Sequence, residues 1–493
     1  MAEREQSSSG SGIALAAAIL CAVTAIAYFP AFRNGFAWDD DLLLTQNKLV
    51  KSASGLWQFW FTAGQADYWP VTYSALWVQW RLWGMHAAGY HAVNVALHAA
   101  NSLLLWAVLR RIKLPGSYLA ALIFAVHPVN VESVAWISEL KNLLAMLFCL
   151  ASVWFYPRPE GHSTGMGWRA YALSLLCFVL AMLSKGSVAI LPLILLGIVA
   201  WHRRVRGKDV VLVLPFFAVA VVLALTDVWF QGHGTGQVYR NAGFAERLLG
   251  AGAAIWFYLG KAAWPANLTF VYPEWHVSAG RPGWWAPLIA AAVLTAVLWR
   301  NRGTWSRPAL FAWGYFCVAL VPVMGFTDVY FMKYSLVADR YAQIAIIGVI
   351  AFAAFCAAKA HATERGMLLS RALAVVVVAL LGLLTWRQCG MYRDARTLFL
   401  ATLESNPDCW MACNYLGATE PQANLPESIA YFERALAIKP DYADARDNLG
   451  VALVRAGRLS EAGAQFEEEA RQEPGNPRAR ANLEWVRRLQ REF

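Results

Sequence analysis
Charge is what this sequence has least of: only 15% of its 493 residues are Asp, Glu, Lys or Arg, against 58% hydrophobic. So little charge excludes an ordinary water-soluble chain of this length and suits one solvated largely by hydrocarbon, where neither charge nor unpaired backbone is tolerated. Cysteine is scarce too. The eight are scattered with no C-x-x-C pair, and most lie in apolar runs as small hydrophobes, Cys389, Cys409 and Cys413 excepted. This argues against a cysteine-based metal or redox motif. The first twelve residues lack the basic run of a secretory leader, so Ala25-Ile26-Ala27, which imitates a cleavage site, is read as part of an uncleaved first span. The net charge of +10 gives no nucleic-acid signature, because the basic residues sit in short clusters between apolar runs.

What is present is a long series of apolar segments, with 24 Trp and 25 Phe and a mean hydropathy of +0.41. Runs long or nearly long enough to cross a bilayer occur at 13–32, 88–109, 116–127, 141–156, 169–183, 187–201, 210–230, 284–299, 308–325, 341–358 and 367–386. Five basic clusters separate them: Arg110, Arg111 and Lys113; Arg158 and Arg169; Arg203, Arg204, Arg206 and Lys208; Arg300, Arg302 and Arg307; Lys359, Arg365 and Arg371. An N-terminus in the cytoplasm puts all five inside, as the positive-inside rule requires. Residues 244–264 carry Glu246, Arg247 and Lys261 and are read as an interfacial or re-entrant helix on the outer face. The expected fold is an all-α polytopic membrane protein of about eleven spans, with a tail at 1–12, a membrane module at 13–386, a link at 387–406 and a repeat array at 407–493.

That topology gathers the polar residues on the outer side. Asp39, Asp40 and Asp41 follow the first span directly. The bland reading is a solvated acidic turn; the chemical one is a base at a membrane surface, with repulsion among the acids raising a pKa. The outer segment 33–87 is rich in Trp and Tyr and reads as one or two helices on the bilayer that could roof a pocket. His91, Asn94, His98 and Asn101 recur at helical spacing as a polar stripe facing protein; His91 and His98 lack a third metal ligand, so no metal is assigned. Glu132, Trp136 and Glu139 are expected on one helix face, with Lys141 directed elsewhere. Lys185, Lys333 and Arg340 are the outer cations, and Arg340 could instead anchor a span end or pair with Asp339.

After Trp386 the composition turns polar and a new period begins. Pro407, Pro440 and Pro474 recur at 33 and 34 residues, with Leu416-Gly417 and Leu449-Gly450 in first helices and Phe432 and Phe466 eight residues before the closing proline. This is the tetratricopeptide pattern, two repeats capped by a helix over 478–491.

Five stretches carry a resemblance: Phe36-Ala37-Trp38-Asp39-Asp40, Tyr68-Trp69-Pro70-Val71-Thr72, Tyr90-His91-Ala92-Val93-Asn94, the run from His127-Pro128-Val129 to Trp136-Ile137-Ser138, and Ala338-Asp339-Arg340-Tyr341. Together with the repeats they resemble the transmembrane and tetratricopeptide-repeat O-mannosyltransferase family. Glu139-Leu140-Lys141-Asn142 and Ala342-Gln343-Ile344 depart from its usual pattern. The resemblance implies a GT-C glycosyltransferase fold, a polyprenyl-phosphate sugar donor, a hydroxyl acceptor on a protein, and action on the non-cytoplasmic face. In a bacterium that means the inner membrane, with the repeats in the periplasm. Inverting transfer needs one base and cations for the leaving phosphate. Asp39 and Asp40 are the candidate bases and Arg340, Lys141 and Lys185 the phosphate contacts; His91, His127, Glu132, Glu139, Tyr341 and Lys333 are candidate pocket residues. A transporter or flippase of lipid-linked sugars would use the same pocket but normally shows repeated halves or deep charges. A non-catalytic scaffold presenting its repeats leaves the outer acids and cations without a role.

Overall fold
The computed structural model describes residues 10–65, 67–157, 167–235, 240–303, 305–360, 364–420 and 424–492; Arg158 and most of the N-terminal tail lie outside them. Every one of the eleven expected segments carries a helix. Five are long and apolar enough to cross a membrane: Ala87–Arg111, Ile137–Phe155, Gly207–Gly232, Pro282–Arg300 and Gly366–Tyr392. Five apolar helices are shorter, and Ser117–Ala125 with Pro128–Ala135 forms a pair bent by 52°. No strand occurs among the described residues.

The chain folds as two compact units, 1–268 with 275–394, and 269–274 with 395–493. The first is organised around Ala87–Arg111, whose 25 residues reach about 37 Å at 1.5 Å each. Its polar stripe is buried and sews neighbouring helices to it. Asn94 donates to the Trp136 carbonyl at 3.1 Å, Asn101 to that of Leu143 at 3.0 Å, and His98 Nε2 to that of Ala125 at 3.0 Å. Each bond pairs one N–H of an amide or imidazole that would be costly to leave unpaired in an apolar core.

The bend at His127-Pro128 has a local cause: proline has no N–H to continue the helix, and His127 Nδ1 accepts from Val129 N at 3.3 Å instead. A second break follows at Trp136, which is extended at φ −109°, ψ 123° before the turn Ile137–Glu139 and the helix Leu140–Phe155. Residues 132–141 are therefore not one helix, which overturns the expectation that Lys141 points away from Glu132 and Glu139. Residues 33–87, expected to form one or two helices, hold several short ones and one longer one, Pro70–Trp83.

In the second unit the hairpins Trp410–Thr419 with Leu425–Ile438 and Ala443–Arg455 with Leu459–Gln472 are the two repeats, and Pro477–Glu492 follows. Their glycines are required by packing. A Cβ on Gly417 would stand 2.7 Å from the Phe432 ring, and one on Gly450 2.5 Å from Phe466. Each phenylalanine buries its ring where its partner helix has no side chain, and burial of such a side chain is worth about 2 kcal/mol. The helix Ala395–Ser405, within the expected link, belongs to this unit, as does the segment 269–274, whose Phe270 ring lies 5.9 Å from Phe399.

Candidate functional site
The five stretches singled out in the sequence converge in the first unit. The 33–41 loop is tied down residue by residue. His91 Nε2 donates to the Gly35 carbonyl at 3.3 Å, Trp136 Nε1 donates to the Ala37 carbonyl at 3.1 Å, and Asp40 bridges the loop to the Trp136 break. One Asp40 oxygen accepts from Ala37 N at 2.8 Å; the other accepts from Ser138 N at 2.8 Å and from the Ser138 hydroxyl. Trp38, between them, has φ +45°, a left-handed conformation unfavourable for a bulky residue, and its ring stacks on Trp136 at 5.8 Å. Such strain persists only where the surroundings over-determine it. The consequence falls on Asp39.

Asp39 is half-buried, and among the described residues its carboxylate has no hydrogen bond. Burial raises its pKa to about 6; the Lys141 and Arg340 charges oppose the rise, and Glu139 and Asp67 add to it. Burial likewise raises Asp40 to about 7 against the pull of its bonds to Ser138 and Ala37. The expected cause, repulsion among three adjacent acids, is thus minor beside desolvation. Asp41 accepts from Thr45 Oγ1 at 2.6 Å within its own turn.

Facing Asp39 is a cluster of cations gathered by two buried carboxylates. The Arg340 guanidinium pairs with Glu132, its backbone N–H donates to the same carboxylate at 2.7 Å, and its Nε lies 3.5 Å from Glu139. Lys141 Nζ lies 3.1 Å from one Glu139 oxygen and Lys185 Nζ 3.4 Å from the other. Lys141 therefore joins the cluster, because the extended Trp136 turns the following helix. Aromatic faces complete the walls: Phe331 lies 3.9 Å from the Arg340 guanidinium carbon, and Trp69 5.1 Å from Lys141. The Tyr68–Thr72 stretch docks beside Lys185, with Val71 N donating to the Leu183 carbonyl at 3.2 Å and Thr72 Oγ1 to that of Ser184 at 3.0 Å. Burial lowers the Lys185 pKa to about 8, although Glu139 resists it.

Not every candidate joins. His127 caps its own turn and meets the Ala262 carbonyl at 3.1 Å, and His91 holds the loop from behind. Lys333 sits half-buried with its ammonium 6.0 Å from the Tyr334 ring, while the Tyr341 ring borders Arg340 at 5.1 Å. Four residues escaped the sequence reading: Ser138, Asn142, Asp67 and Asp227. Asn142 donates to the Arg340 carbonyl at 3.2 Å and to Ser133 Oγ at 3.0 Å. Asp67 accepts from Gln231 at 2.8 Å and lies in the field of Lys141 and Lys185, and burial raises its pKa. Asp227 accepts from Tyr68 N at 3.3 Å. A lone acid in the apolar run 210–230 was the signal that could have marked Asp227.

Two cavities adjoin the cluster. A small one, about 20 Å³, is lined by Lys185, Arg340, Asn142, Gln343 and Ile344. Ile344 also borders a larger one of about 480 Å³, walled by apolar side chains such as Met146, Leu191, Phe311 and Ile347 and running as far as Trp201.

A tetratricopeptide-repeat family model matches residues 422–477. The chain is 22% identical to protein O-mannosyl-transferase TMTC3 of Mus musculus over 503 residues, 91% of this chain and 54% of the relative. It is 28% identical to protein O-mannosyl-transferase TMTC4 of Mus musculus over 38% of this chain and 31% of that one, and 30% identical to protein O-mannosyl-transferase Tmtc1 of Drosophila melanogaster over 36% and 22%. The chain thus spans about half the length of the mouse TMTC3 relative, and the aligned parts are smaller fractions of the other two. With its apolar helices, its repeats and these named homologues, the chain is a relative of the transmembrane and tetratricopeptide-repeat protein O-mannosyl-transferases.

Proposed function
We propose that the chain is an inverting membrane glycosyltransferase that moves a sugar, mannose by analogy with its relatives' names, from a polyprenyl phosphate to a hydroxyl of a protein. The observation that carries this reading is Asp39: a carboxylate with a pKa near 6 and no hydrogen bond among the described residues, in the field of Lys141 and Arg340, which gather with Lys185 on Glu139. Asp39 takes the proton of the acceptor hydroxyl as its oxygen attacks the anomeric carbon, and the bond from that carbon to the phosphate oxygen breaks. The departing lipid phosphate gains negative charge in this step, so the cations bind the transition state more tightly than the bound donor. Arg340 is the main phosphate contact, since its fork can engage two oxygens, with Lys141 and Lys185 assisting. The apolar cavity bordered by Ile344 suits the lipid chain.

The reaction is placed on the outer face of an inner membrane, with the N-terminus cytoplasmic and the repeats periplasmic. The basic clusters support that orientation. Reporter fusions after Trp386 that are active only in the cytoplasm overturn it. The protein in nanodiscs, supplied with a polyprenyl-phosphate sugar and a Ser/Thr peptide, tests the activity. Glycosylated peptide and free lipid phosphate in equal amounts support it; movement of intact donor between leaflets without product identifies a flippase, and neither outcome leaves a scaffold.

A further inference from the structure
Gln343, beside the cation cluster, is a buried polar side chain that the fold does not satisfy. It is 2% exposed, and among the described residues its Nε2 has no hydrogen-bond partner. An amide N–H left unpaired in such surroundings is costly, so the position calls for a partner from outside the chain. The backbone around it is pinned. On one side the Arg340 carbonyl accepts from Asn142 Nδ2 at 3.2 Å, and on the other the Ile344 carbonyl accepts from the Tyr315 hydroxyl at 3.1 Å. Gln343 lines the small cavity of about 20 Å³, together with Lys185, Arg340, Asn142, Ser187 and Ile344. That volume holds one oxygen-sized atom. Lysine and arginine side chains are donors without lone pairs, and both amide hydrogens of Asn142 are spent, on Arg340 and on Ser133. With two cationic residues and an uncommitted N–H on its walls, the cavity suits an oxygen that carries negative charge.

We infer that Gln343 donates this N–H to one non-bridging oxygen of the donor's phosphate. The surroundings follow the order of a lipid phosphate. Lys185 and Arg340 belong to the cation cluster, while Ile344 passes from the wall of the small cavity into that of the apolar cavity of about 480 Å³. Charge gives way to hydrocarbon between Gln343 and Ile344, as it does at the ester oxygen of such a donor. A phosphodiester joining a sugar to a lipid has two non-bridging oxygens, and the small cavity admits one. Gln343 therefore fixes which oxygen turns inward, and with it the direction in which the sugar leaves the phosphate. The inference rests on the proposed function and adds a phosphate contact to it. That contact lies in Ala342-Gln343-Ile344, where the chain departs from the pattern of the family it resembles.

The experiment uses the full chain in nanodiscs, without acceptor, and a polyprenyl-phosphate sugar in which one non-bridging oxygen is replaced by sulfur. The replacement creates two diastereomers, whose binding is measured separately by fluorescence quenching beside that of the unmodified donor and of the free polyprenol. Sulfur is larger than oxygen and accepts hydrogen bonds poorly. On the parent protein the diastereomer that turns its sulfur into the cavity therefore binds at least about tenfold more weakly than the other. Gln343→Met keeps the length of the side chain and lacks the N–H. It weakens the unmodified donor about 10- to 150-fold, as for the loss of a hydrogen bond to a charged group, brings the two diastereomers within about threefold of each other, and leaves polyprenol binding as it was. Equal binding of the two diastereomers by the parent overturns the inference, as does a Gln343→Met variant that binds the donor like the parent or keeps the parent's preference. The diastereomer comparison needs no variant, so a misfolded one does not obscure it. A parent that binds the donor without distinguishing the diastereomers loses the Gln343 contact and keeps the proposed function, whereas no binding of the donor overturns both.

Discussion
Asp39 and Asp40 are neighbours of the same chemistry, yet replacing each by asparagine should do opposite things. Asp40 accepts from the backbone N–H groups of Ala37 and Ser138 and from the Ser138 hydroxyl. An asparagine has a single acceptor oxygen. Whichever way its amide turns, one of the two buried backbone N–H groups faces an NH₂ and loses its partner, at a cost of about 1–3 kcal/mol. The loop then relaxes away from Ser138 and takes the strained Trp38 with it. Asp40→Asn should lower thermal stability and reduce turnover only in part. Asp39 has no such bonds among the described residues, and burial already disfavours its charged form. Asp39→Asn should leave the unfolding temperature unchanged or slightly higher. Its rate should fall about 100- to 10,000-fold, the usual worth of a general base, or about 2.7–5.4 kcal/mol of barrier. Donor affinity should hold, since the cations keep their places. The assays are transfer to a peptide, donor binding by fluorescence quenching, and thermal unfolding, all in nanodiscs. An Asp40→Asn variant that unfolds normally but is inactive, beside an Asp39→Asn variant that turns over, refutes the assignment.

The rate should follow a bell in pH: it rises through about pH 6 as Asp39 ionises to become a base, and falls above about pH 8 as Lys185 loses its proton. Lys185→Arg should move only the upper limb, to higher pH, which a pH series of single-turnover rates would reveal. Arg340→Lys keeps the charge but loses the fork that meets both Glu132 and Glu139; kcat/KM should drop about 10- to 150-fold, corresponding to about 1.5–3 kcal/mol for bonds to charged groups, with donor binding weakened as well. Gly450→Val should destabilise the repeat unit by at least about 2 kcal/mol, because the added carbon meets the Phe466 ring, while the pH profile of transfer to a short peptide stays as it was.

The apolar segments were legible because hydrocarbon imposes its requirement on each one separately, and all eleven carry helices. The repeats were legible for a comparable reason, since Gly417 and Gly450 each answer a phenylalanine on the adjacent helix. The position of Lys141 was not. Helical spacing placed it away from Glu132 and Glu139, and nothing in Val131–Lys141 announces the break at Trp136. That break is stabilised from outside, by Asn94 on the Trp136 carbonyl and by Asp40 on Ser138. The Asp67–Gln231 contact spans 164 residues and could not be read from local pattern. The helix Ala395–Ser405 passed for a link because it is short and precedes the first recurring proline, Pro407, and its buried Leu398 and Phe399 make sense only within the repeat unit.

The dependence of each acid on distant partners also explains why the sequence could name the candidate loop without choosing between its aspartates. One residue of displacement along a turn decides whether a carboxylate meets Ser138 or faces the cations. Ser138 is fixed by the Trp136 break, and the break by Asn94 of the polar stripe. His91, a turn earlier on the same helix, holds Gly35 at the start of the loop. One buried helix thus sets both sides of the site, the loop that carries the proposed base and the turn that carries Glu139 with its three cations. Polar side chains in an apolar span are expensive unless each has a partner. Here His91 and Asn94 spend their bonds on the backbone of the two segments that the proposed reaction needs in register, the loop of Asp39 and the turn of Glu139.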